Sequence, residues 1–263
     1  MLNVKIKKYI SSLWLPFLVA TTYGFLYLPI IILVVFSFNE GTFAYSWHGF
    51  SLRWYHALYE SVEVWNALYT SLVVAFSTVA LSLVLGVLFV FYSAHSTLAK
   101  FSILFYGTLA APEIVVAVGL LSLFSFLQVP LGMIPLIAGH TLLGLGYVIP
   151  MVHTRFSELE PQLMEASLDL GATKVQTFFR IILPLLFPAL LASGLLVFII
   201  SLDDFLISFF CSGASSLTLP MYIFSVLRTG ATPLVNALAT LLLCISSLCV
   251  IIFSSLRVKS QMY

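Results

Sequence analysis

Apolar residues dominate six long stretches of this sequence, and most of the charged residues lie in the shorter segments between them. A helix needs about 20 mainly apolar residues to cross the hydrocarbon core of a membrane. The six stretches lie at about 13–38, 66–92, 101–127, 131–152, 185–210 and 234–256. The pattern therefore predicts an all-α integral membrane protein with six transmembrane helices. We interpret residues 1–263 as a single transmembrane domain.

Proline, glycine and polar residues mark the interruptions between these stretches. Residues 39–65 form a polar and aromatic loop, as expected near a membrane surface. The short segment 128–130 leaves room only for a tight turn, so the third and fourth spans are predicted to be antiparallel neighbours. Residues 211–233 are rich in Gly, Ser and Pro, and we predict a short helix there at Met221–Leu227. Pro112 is predicted to break the third span because it lacks a backbone donor.

The composition agrees with a membrane protein and argues against several other functions. The chain is 61% hydrophobic and 8% charged, with a mean hydropathy of +1.12, whereas soluble domains carry about 25% charged residues. No basic run with interleaved aromatic residues occurs, so we expect no nucleic-acid binding. The three cysteines have no ligand-like spacing, so neither a metal site nor a disulfide framework follows. We expect no cofactor in this chain.

The distribution of lysine and arginine predicts the orientation in the membrane. With a cytoplasmic N-terminus, the inside segments hold nine basic residues and the outside loops hold only two, Arg53 and Arg228. The nine are Lys5, Lys7, Lys8, Lys100, Arg155, Lys174, Arg180, Arg257 and Lys259. This excess on one side predicts that both termini and the segment 153–184 lie in the cytoplasm. The first apolar run is too long for a signal-peptide core, so we interpret it as the first span.

A polar segment, EASLDLGATKVQTFFRIILP, occupies Glu165–Pro184 between two apolar runs. Its pattern predicts two short helices, Glu165–Leu170 and Thr173–Ile182. Gly171 lies between them, where a residue that is free to adopt positive φ lets the chain turn. Pro184 then marks the start of a new element. In many multi-span proteins such a segment is only a solvated loop, but the residue spacing here indicates a more specific role.

Several residue types in this segment recur at offsets that resemble the EAA loop of permease subunits of ABC importers. The matching residues are Glu165, Ala166, Ser167, Gly171, Ile181, Leu183 and Pro184. Ser167 departs from the family pattern, which often has a second Ala there. The resemblance implies a type I ABC importer permease fold, whose loop docks on a separate ATPase and couples hydrolysis to transport. The chain has no Gly-x4-Gly-Lys-Ser/Thr sequence, so we expect it not to be an enzyme.

Three acidic residues lie inside the predicted spans, and no lysine or arginine does. Glu113 lies near the middle of the third span, and Asp203 and Asp204 lie toward the outer end of the fifth. An acid at the bilayer centre costs about 2.5–3.5 kcal/mol on insertion scales, so such residues usually face a polar path or a partner. Three acids without bases suit a cationic amine as the solute. The alternative is that these carboxyl groups are protonated, or bonded to neighbouring Ser and backbone groups. His140 is interpreted as a packed or interfacial residue rather than a ligand.

Further segments resemble the second permease subunit of bacterial spermidine/putrescine importers over nearly the whole chain. They are 27–39, 111–115, 201–210 and 218–240. This resemblance implies a bacterial inner-membrane protein that pairs with a similar but non-identical permease. It also implies an ATPase dimer inside the cell and a polyamine-binding protein outside. Glu113 stands where the family pattern has Asp, which keeps the charge but changes the reach by one methylene.

Alternatives to a polyamine permease stay open. Related permeases with the same loop carry iron, thiamine or other small solutes, because the external binding protein mostly selects the cargo. A stand-alone secondary carrier would use Glu113, Asp203 and Asp204 as a proton relay, although six spans without a detectable repeat argue against it. An intramembrane enzyme would need a nucleophile–base pair or a metal cluster, and no usable spacing is present.

Overall fold

The computed structural model describes the backbone of residues 2–43, 46–93, 102–230 and 232–260. It describes the side chains of residues 14–43, 46–93, 105–160, 162–230 and 232–248. The described chain is mostly helical and has one isolated bridge, between Asn39 and Phe50, so the predicted all-α class is confirmed. The helices are α1 (Leu2–Phe36), α2 (Arg53–Glu60), α3 (Val62–Ser93), α4 (Ser102–Ala110), α5 (Glu113–Phe126), α6 (Met133–Ser157), α7 (Pro161–Asp169), α8 (Lys174–Thr177), α9 (Leu183–Asp203), α10 (Leu206–Cys211), α11 (Leu219–Thr229) and α12 (Pro233–Ser260), with a π-helical turn at Phe178–Ile182.

Each of the six predicted spans corresponds to apolar helix in the described part of the chain. Four helical segments are long and apolar enough to cross a membrane, namely Trp14–Phe36, Val62–Ser93, Met133–Ser157 and Lys174–Asp203. Two shorter apolar helices, Glu113–Phe126 and Pro233–Leu248, lie in the third and sixth predicted spans. The helix predicted at Met221–Leu227 is confirmed and is longer, because it forms the middle of α11.

Two of the predicted spans are interrupted. The third is divided into α4 and α5 at Ala111 and Pro112, so the break predicted at Pro112 is confirmed. The fifth, predicted as one helix over 185–210, is divided into α9 and α10 at Asp204 and Phe205. This second break contains neither proline nor glycine, which is why the hydrophobic pattern alone does not show it.

The N-terminal part of the chain departs from the prediction at its helix ends. α1 begins at Leu2, well before the predicted start, and continues through Pro16 and Pro29. Proline is tolerated inside membrane-spanning helices, where local adjustments satisfy the freed backbone groups. Residues 39–65 are not a loop throughout, since they contain α2 and the beginning of α3.

Residues 1–61 and 223–263 form one compact unit, in which α12 packs against α1 and α2. The segment between α1 and α2 is organised by the buried side chain of Asn39. Its Nδ2 donates to the carbonyl oxygens of Phe43 at 3.2 Å and Ser46 at 2.7 Å, and its Oδ1 accepts from the His48 N–H at 2.9 Å. These bonds satisfy backbone groups that no helix pairs.

Residues 62–222 form a second compact unit, whose core is built by α3, α6 and α9. One buried apolar cluster includes Val90 of α3, Ile149 of α6 and Leu186 of α9. α6 and α3 approach closely at Gly144, where an added Cβ would collide with Ser82, so the small residue permits the contact. A second buried cluster joins α5, α6 and α10 and holds the two interrupted spans together.

Some predictions concern residues outside the described ones. Lys100, one of the basic residues assigned to the cytoplasmic side, is among them. The side chains of Lys5, Lys7, Lys8, Arg257 and Lys259, which carry part of the orientation argument, are also outside. The interpretation of residues 1–263 as one domain stays a prediction.

Candidate functional site

A cavity of about 290 Å³ lies where the two interrupted spans break. Its lining residues are Glu113, Ile200, Asp203, Asp204, Phe205 and Leu206. The structure therefore brings together all three acids that the sequence indicates, although they come from two different spans. Among the described side chains that line the cavity, three are acidic and none is basic. The arrangement suits a cationic group.

Glu113 reaches the cavity because the third span restarts at this residue. Pro112 has an extended backbone with ψ of 131°, and its carbonyl accepts the Val115 N–H at 2.9 Å in the first turn of α5. Glu113 is the first residue of that helix and is half-buried. An acid in the first turn is stabilised by the positive end of the helix dipole, which lowers the cost of a carboxylate at this depth.

Asp203 and Asp204 face the same cavity because the fifth span is irregular between them. Successive side chains on a continuous helix point about 100° apart, so two adjacent residues would not share one wall. α9 ends at Asp203, and Asp204 has extended backbone with ψ of 122°. The irregular backbone between them therefore lets both residues line one cavity. Their environments differ, since Asp203 is exposed and Asp204 is only 6% exposed.

The buried Asp204 carboxylate accepts several hydrogen bonds. Its Oδ2 accepts from the Ser208 backbone N–H at 2.9 Å and lies 3.1 Å from His140 Nε2. Its Oδ1 accepts from the Ile207 backbone N–H at 3.3 Å. The two N–H groups belong to the first turn of α10, where helix donors lack intrahelical partners. For Asp204, therefore, the alternative that the acid is bonded to neighbouring backbone groups is correct, even though the residue also lines the cavity.

His140 is the site residue whose role the sequence does not reveal. It lies in α6 and is 1% exposed, so its interpretation as a packed residue is confirmed. Its ring also bonds polar groups of the fifth span, with Nδ1 2.8 Å from Ser201 Oγ and Nε2 3.2 Å from Ser208 Oγ. Pairing between a histidine in one apolar run and an acid in another leaves no signal in residue spacing, so a single sequence offers no means of finding it.

The second group of predicted site residues lies on α7, α8 and the π-helical turn. Glu165 and Ala166 are exposed on α7, and Gly171 has φ of +86°, so the predicted turn at this glycine is confirmed. α8 begins with a capping box. In it, Thr173 Oγ1 accepts the Gln176 N–H at 3.2 Å, and Gln176 Oε1 accepts the Thr173 N–H at 2.9 Å. A helix therefore lies on each side of Gly171, as predicted, but the first begins at Pro161 rather than Glu165 and the second does not end at Ile182.

A buried hydroxyl pair ties the two short helices together. Ser167 Oγ on α7 lies 2.8 Å from Thr177 Oγ1 on α8, and both residues are buried. The Thr177 hydroxyl donates to the Thr173 carbonyl at 3.1 Å, which leaves its oxygen free to accept from Ser167. The departure from the family pattern at Ser167 thus supplies an extra hydrogen bond at the junction of the helices.

The predicted boundary at Pro184 is not a break in the helix. Ile181 lies in the π-helical turn, and Leu183 and Pro184 begin α9 directly behind it. The Leu183 N–H donates to the carbonyl of Phe178, five residues earlier. Pro184 has no N–H for the carbonyl four residues before it, and the wider turn accommodates this loss. α8 and α9 are consequently one continuous helical body over Lys174–Asp203.

This fold and these two sites define a class of protein, a multi-span membrane component with an exposed helical pair joined to one of its spans. A solved structure has the same fold, with a TM-score of 0.72 and 14% identity, and the match covers 94% of this chain and 95% of that one. Its title is "Crystal structure of a bacterial ABC transporter involved in the import of the acidic polysaccharide alginate".

Sequence comparison identifies the family. Residues 83–259 match the family described as "Binding-protein-dependent transport system inner membrane component". The chain is 40% identical over 243 residues to the "Spermidine/putrescine transport system permease protein PotC" of Haemophilus influenzae, a match that covers 91% of this chain and 94% of the relative. It is 34% identical over 244 residues to the "Putrescine transport system permease protein PotI" of Escherichia coli K12, covering 89% of this chain and 87% of that protein.

The chain therefore belongs to the family of binding-protein-dependent transport system inner membrane components. It is a multi-pass permease component of an ABC importer and not an enzyme. As a permease of this kind, it works with a partner permease and with ATPase subunits.

Proposed function

We propose that this chain forms half of the translocation path of an ATP-driven importer for polyamines, with a second homologous permease completing the path. The observation that carries the proposal is the cavity at which Glu113, Asp203 and Asp204 meet without a basic side chain among its described lining residues. Polyamines are chains of ammonium groups joined by apolar segments, and carboxylates are their natural hydrogen-bonding partners. The names of the 40% and 34% identical relatives support the same solute class.

The helical pair α7–α8 is the proposed coupling element, through Glu165, Ala166, Ser167, Gly171, Ile181, Leu183 and Pro184. The exposure of Glu165 and Ala166 leaves that face of α7 open to an ATPase subunit. The continuity of α8 with α9 supports transmission of an ATPase movement to a span that ends at Asp203. In this proposal both termini and α7–α8 lie in the cytoplasm, an ATPase dimer binds there, and a substrate-binding protein delivers the polyamine from outside.

The test is ATP hydrolysis by the complete assembly in proteoliposomes, with the external binding protein and either spermidine, putrescine, thiamine or ferric iron. We expect stimulation by the polyamines alone. Stimulation by thiamine or iron instead would overturn the polyamine assignment and keep the coupling assignment. Uptake that persists without the ATPase and collapses with a proton uncoupler would favour a secondary carrier.

Two charge-neutralising variants, one inside the cavity and one outside it, test whether the cavity acids themselves are needed. Asp203→Asn removes the charge of an exposed cavity acid, and we expect it to lower polyamine-stimulated hydrolysis about tenfold or more, the effect of losing one strong ammonium contact. Glu60→Gln is the matched control, because this acid is also exposed and lies on α2, outside the cavity lining. Equal activities of the two variants would contradict the role of the cavity.

A further inference from the structure

His140 is a buried polar residue that joins three elements at the acidic cavity without lining it. It lies in the first half of α6, and its ring reaches Ser201 on α9, Asp204 at the break and Ser208 on α10. An imidazole carries polar atoms that are costly to bury unless they are bonded. Here both ring nitrogens have partners within 3.2 Å.

The geometry selects the tautomer of this ring. Asp204 Oδ2 has no proton donor of its own when the acid is ionised, so the Nε2–H of His140 donates to it at 3.1 Å. In the neutral ring, Nδ1 is then the acceptor for the Ser201 hydroxyl at 2.8 Å. Ser201 thereby holds the ring in the orientation in which its proton points at the carboxylate, as in other pairs where one ring bond sets the role of the opposite nitrogen.

The donors around Asp204 are distributed unevenly over its two oxygens. Oδ2 receives the Ser208 N–H at 2.9 Å and the His140 Nε2–H at 3.1 Å, whereas Oδ1 receives one longer contact, from Ile207 N–H at 3.3 Å. A carboxylate oxygen has room for about two acceptor bonds. Oδ2 is therefore fully occupied by the protein, and the carboxyl group also has a side-chain hydrogen bond with Glu113 of the same cavity.

We propose that His140 is a positioning residue of the polyamine path, which fixes the Asp204 carboxylate at the α9–α10 break so that it faces the acidic cavity where an ammonium group of the solute binds. This inference rests on the proposed function and extends it by giving the three acids different roles. Asp204 is the fixed acid, held by His140 and by α10. Glu113 and the exposed Asp203 are the acids that adjust to the solute, since neither is enclosed as Asp204 is.

Two substitutions of His140 distinguish the contact made by Nε2 from the contact made by Nδ1. His140→Gln places an amide N–H near the position of Nε2 and retains the donor to Asp204. His140→Asn places its amide near Nδ1, where it retains the contact with Ser201 and loses the one with Asp204. The two variants have similar polarity, so a general effect of removing the ring is common to both.

The measurement is spermidine-stimulated ATP hydrolysis by the reconstituted assembly with its external binding protein, over a range of spermidine concentrations. We expect His140→Asn to raise the half-saturating concentration about tenfold, as for loss of one charge-assisted hydrogen bond, while the maximal rate changes less than about twofold. His140→Gln should restore the half-saturating concentration to within about threefold of the native value. Equal shifts in both variants, or a loss of maximal rate alone, would overturn the positioning role.

Ser201→Ala provides the decisive measurement if His140→Asn does not assemble. It removes only the hydroxyl that orients the ring, and we expect a rise of about threefold in the half-saturating concentration, which an unchanged value would contradict. A native assembly that no polyamine stimulates would overturn the proposed function. A native assembly that spermidine stimulates, with identical behaviour in the Gln and Asn variants, would overturn only the role of His140.

Discussion

At the scale of single residues, two adjacent aspartates show how strongly the surroundings determine the exposure and hydrogen bonding of identical side chains. Asp203 is exposed at the end of α9, whereas Asp204 is buried and accepts the N–H groups of Ile207 and Ser208. Burial without bonds would make Asp204 costly, and the donors around it offset that cost. We therefore expect the two residues to respond differently to the same substitution.

Asp204→Asn should lower the stability of the protein, and Asp203→Asn should not. An Asn at 204 turns its amide N–H toward one of the backbone or histidine donors, which leaves a buried donor without an acceptor and costs about 1–3 kcal/mol. Asp203 is exposed, so its neutralisation should change stability by less than about 0.5 kcal/mol. Thermal unfolding of the purified permease in detergent measures this difference.

Spermidine uptake by the same two variants is the companion measurement. In the proposed function both acids face the solute, so both variants should have lower uptake per assembled complex. Equal unfolding temperatures would contradict the structural account of Asp204. Native uptake in both single variants and in the double variant would remove the acidic path altogether.

At the scale of elements, the chain shows which interruptions a sequence can reveal. The break between α4 and α5 is predictable because Pro112 removes a backbone donor locally. The break between α9 and α10 is stabilised by two local bonds, from the Ile207 and Ser208 N–H groups to Asp204, and by one tertiary bond, from His140 on α6. An Asp can cap the start of a helix anywhere in a sequence, and the bond from His140 leaves no local trace. The sequence therefore predicts an acidic position here and not a helix end.

The joint between α7 and α8 yields a test at the same scale. Gly171 has φ of +86°, and no described atom lies within 4 Å of the position that a Cβ would take. Gly171→Ala therefore introduces backbone strain of about 1–2 kcal/mol without a collision, and we expect it to change the angle of the helical pair and to lower transport per ATP hydrolysed severalfold. Gly171→Asn should retain coupling, because Asn tolerates this conformation better.

Gly230→Ala is the matched control for this joint. Gly230 also has a positive φ, +136°, and open space around its missing side chain, but it lies outside α7 and α8. Gly230→Ala should also introduce backbone strain and should leave the ratio of transport to hydrolysis unchanged. If Gly171→Ala and Gly230→Ala behave alike, the strain at Gly171 has no specific connection to coupling.

At the scale of the whole molecule, the class of protein is readable from the sequence and the arrangement within it is not. Long apolar runs must form helices in a membrane because their backbone groups have no other partners there, so the helical class and the approximate spans follow directly. The positions of helix ends depend on small free-energy differences that the apolar pattern does not reveal. For example, α1 starts at Leu2, before the predicted start, and a π-helical turn stands before Pro184 where a break is predicted. The meeting of Glu113 with Asp203 depends on packing between spans, which one sequence cannot show.

Orientation is a whole-molecule property that the basic residues predict, with nine of eleven on the side assigned to the cytoplasm. Two exposed serines provide isosteric reporters, Ser157 at the end of α6 and Ser215 in the loop before α11. In a background where the three native cysteines are replaced by Ala, a membrane-impermeant maleimide added to cells with a permeabilised outer membrane should label Ser215→Cys. Ser157→Cys should react only after the inner membrane is opened. The reverse pattern would place α7 and α8 outside the cell, where no ATPase could reach them, and would contradict the proposed coupling as well as the orientation.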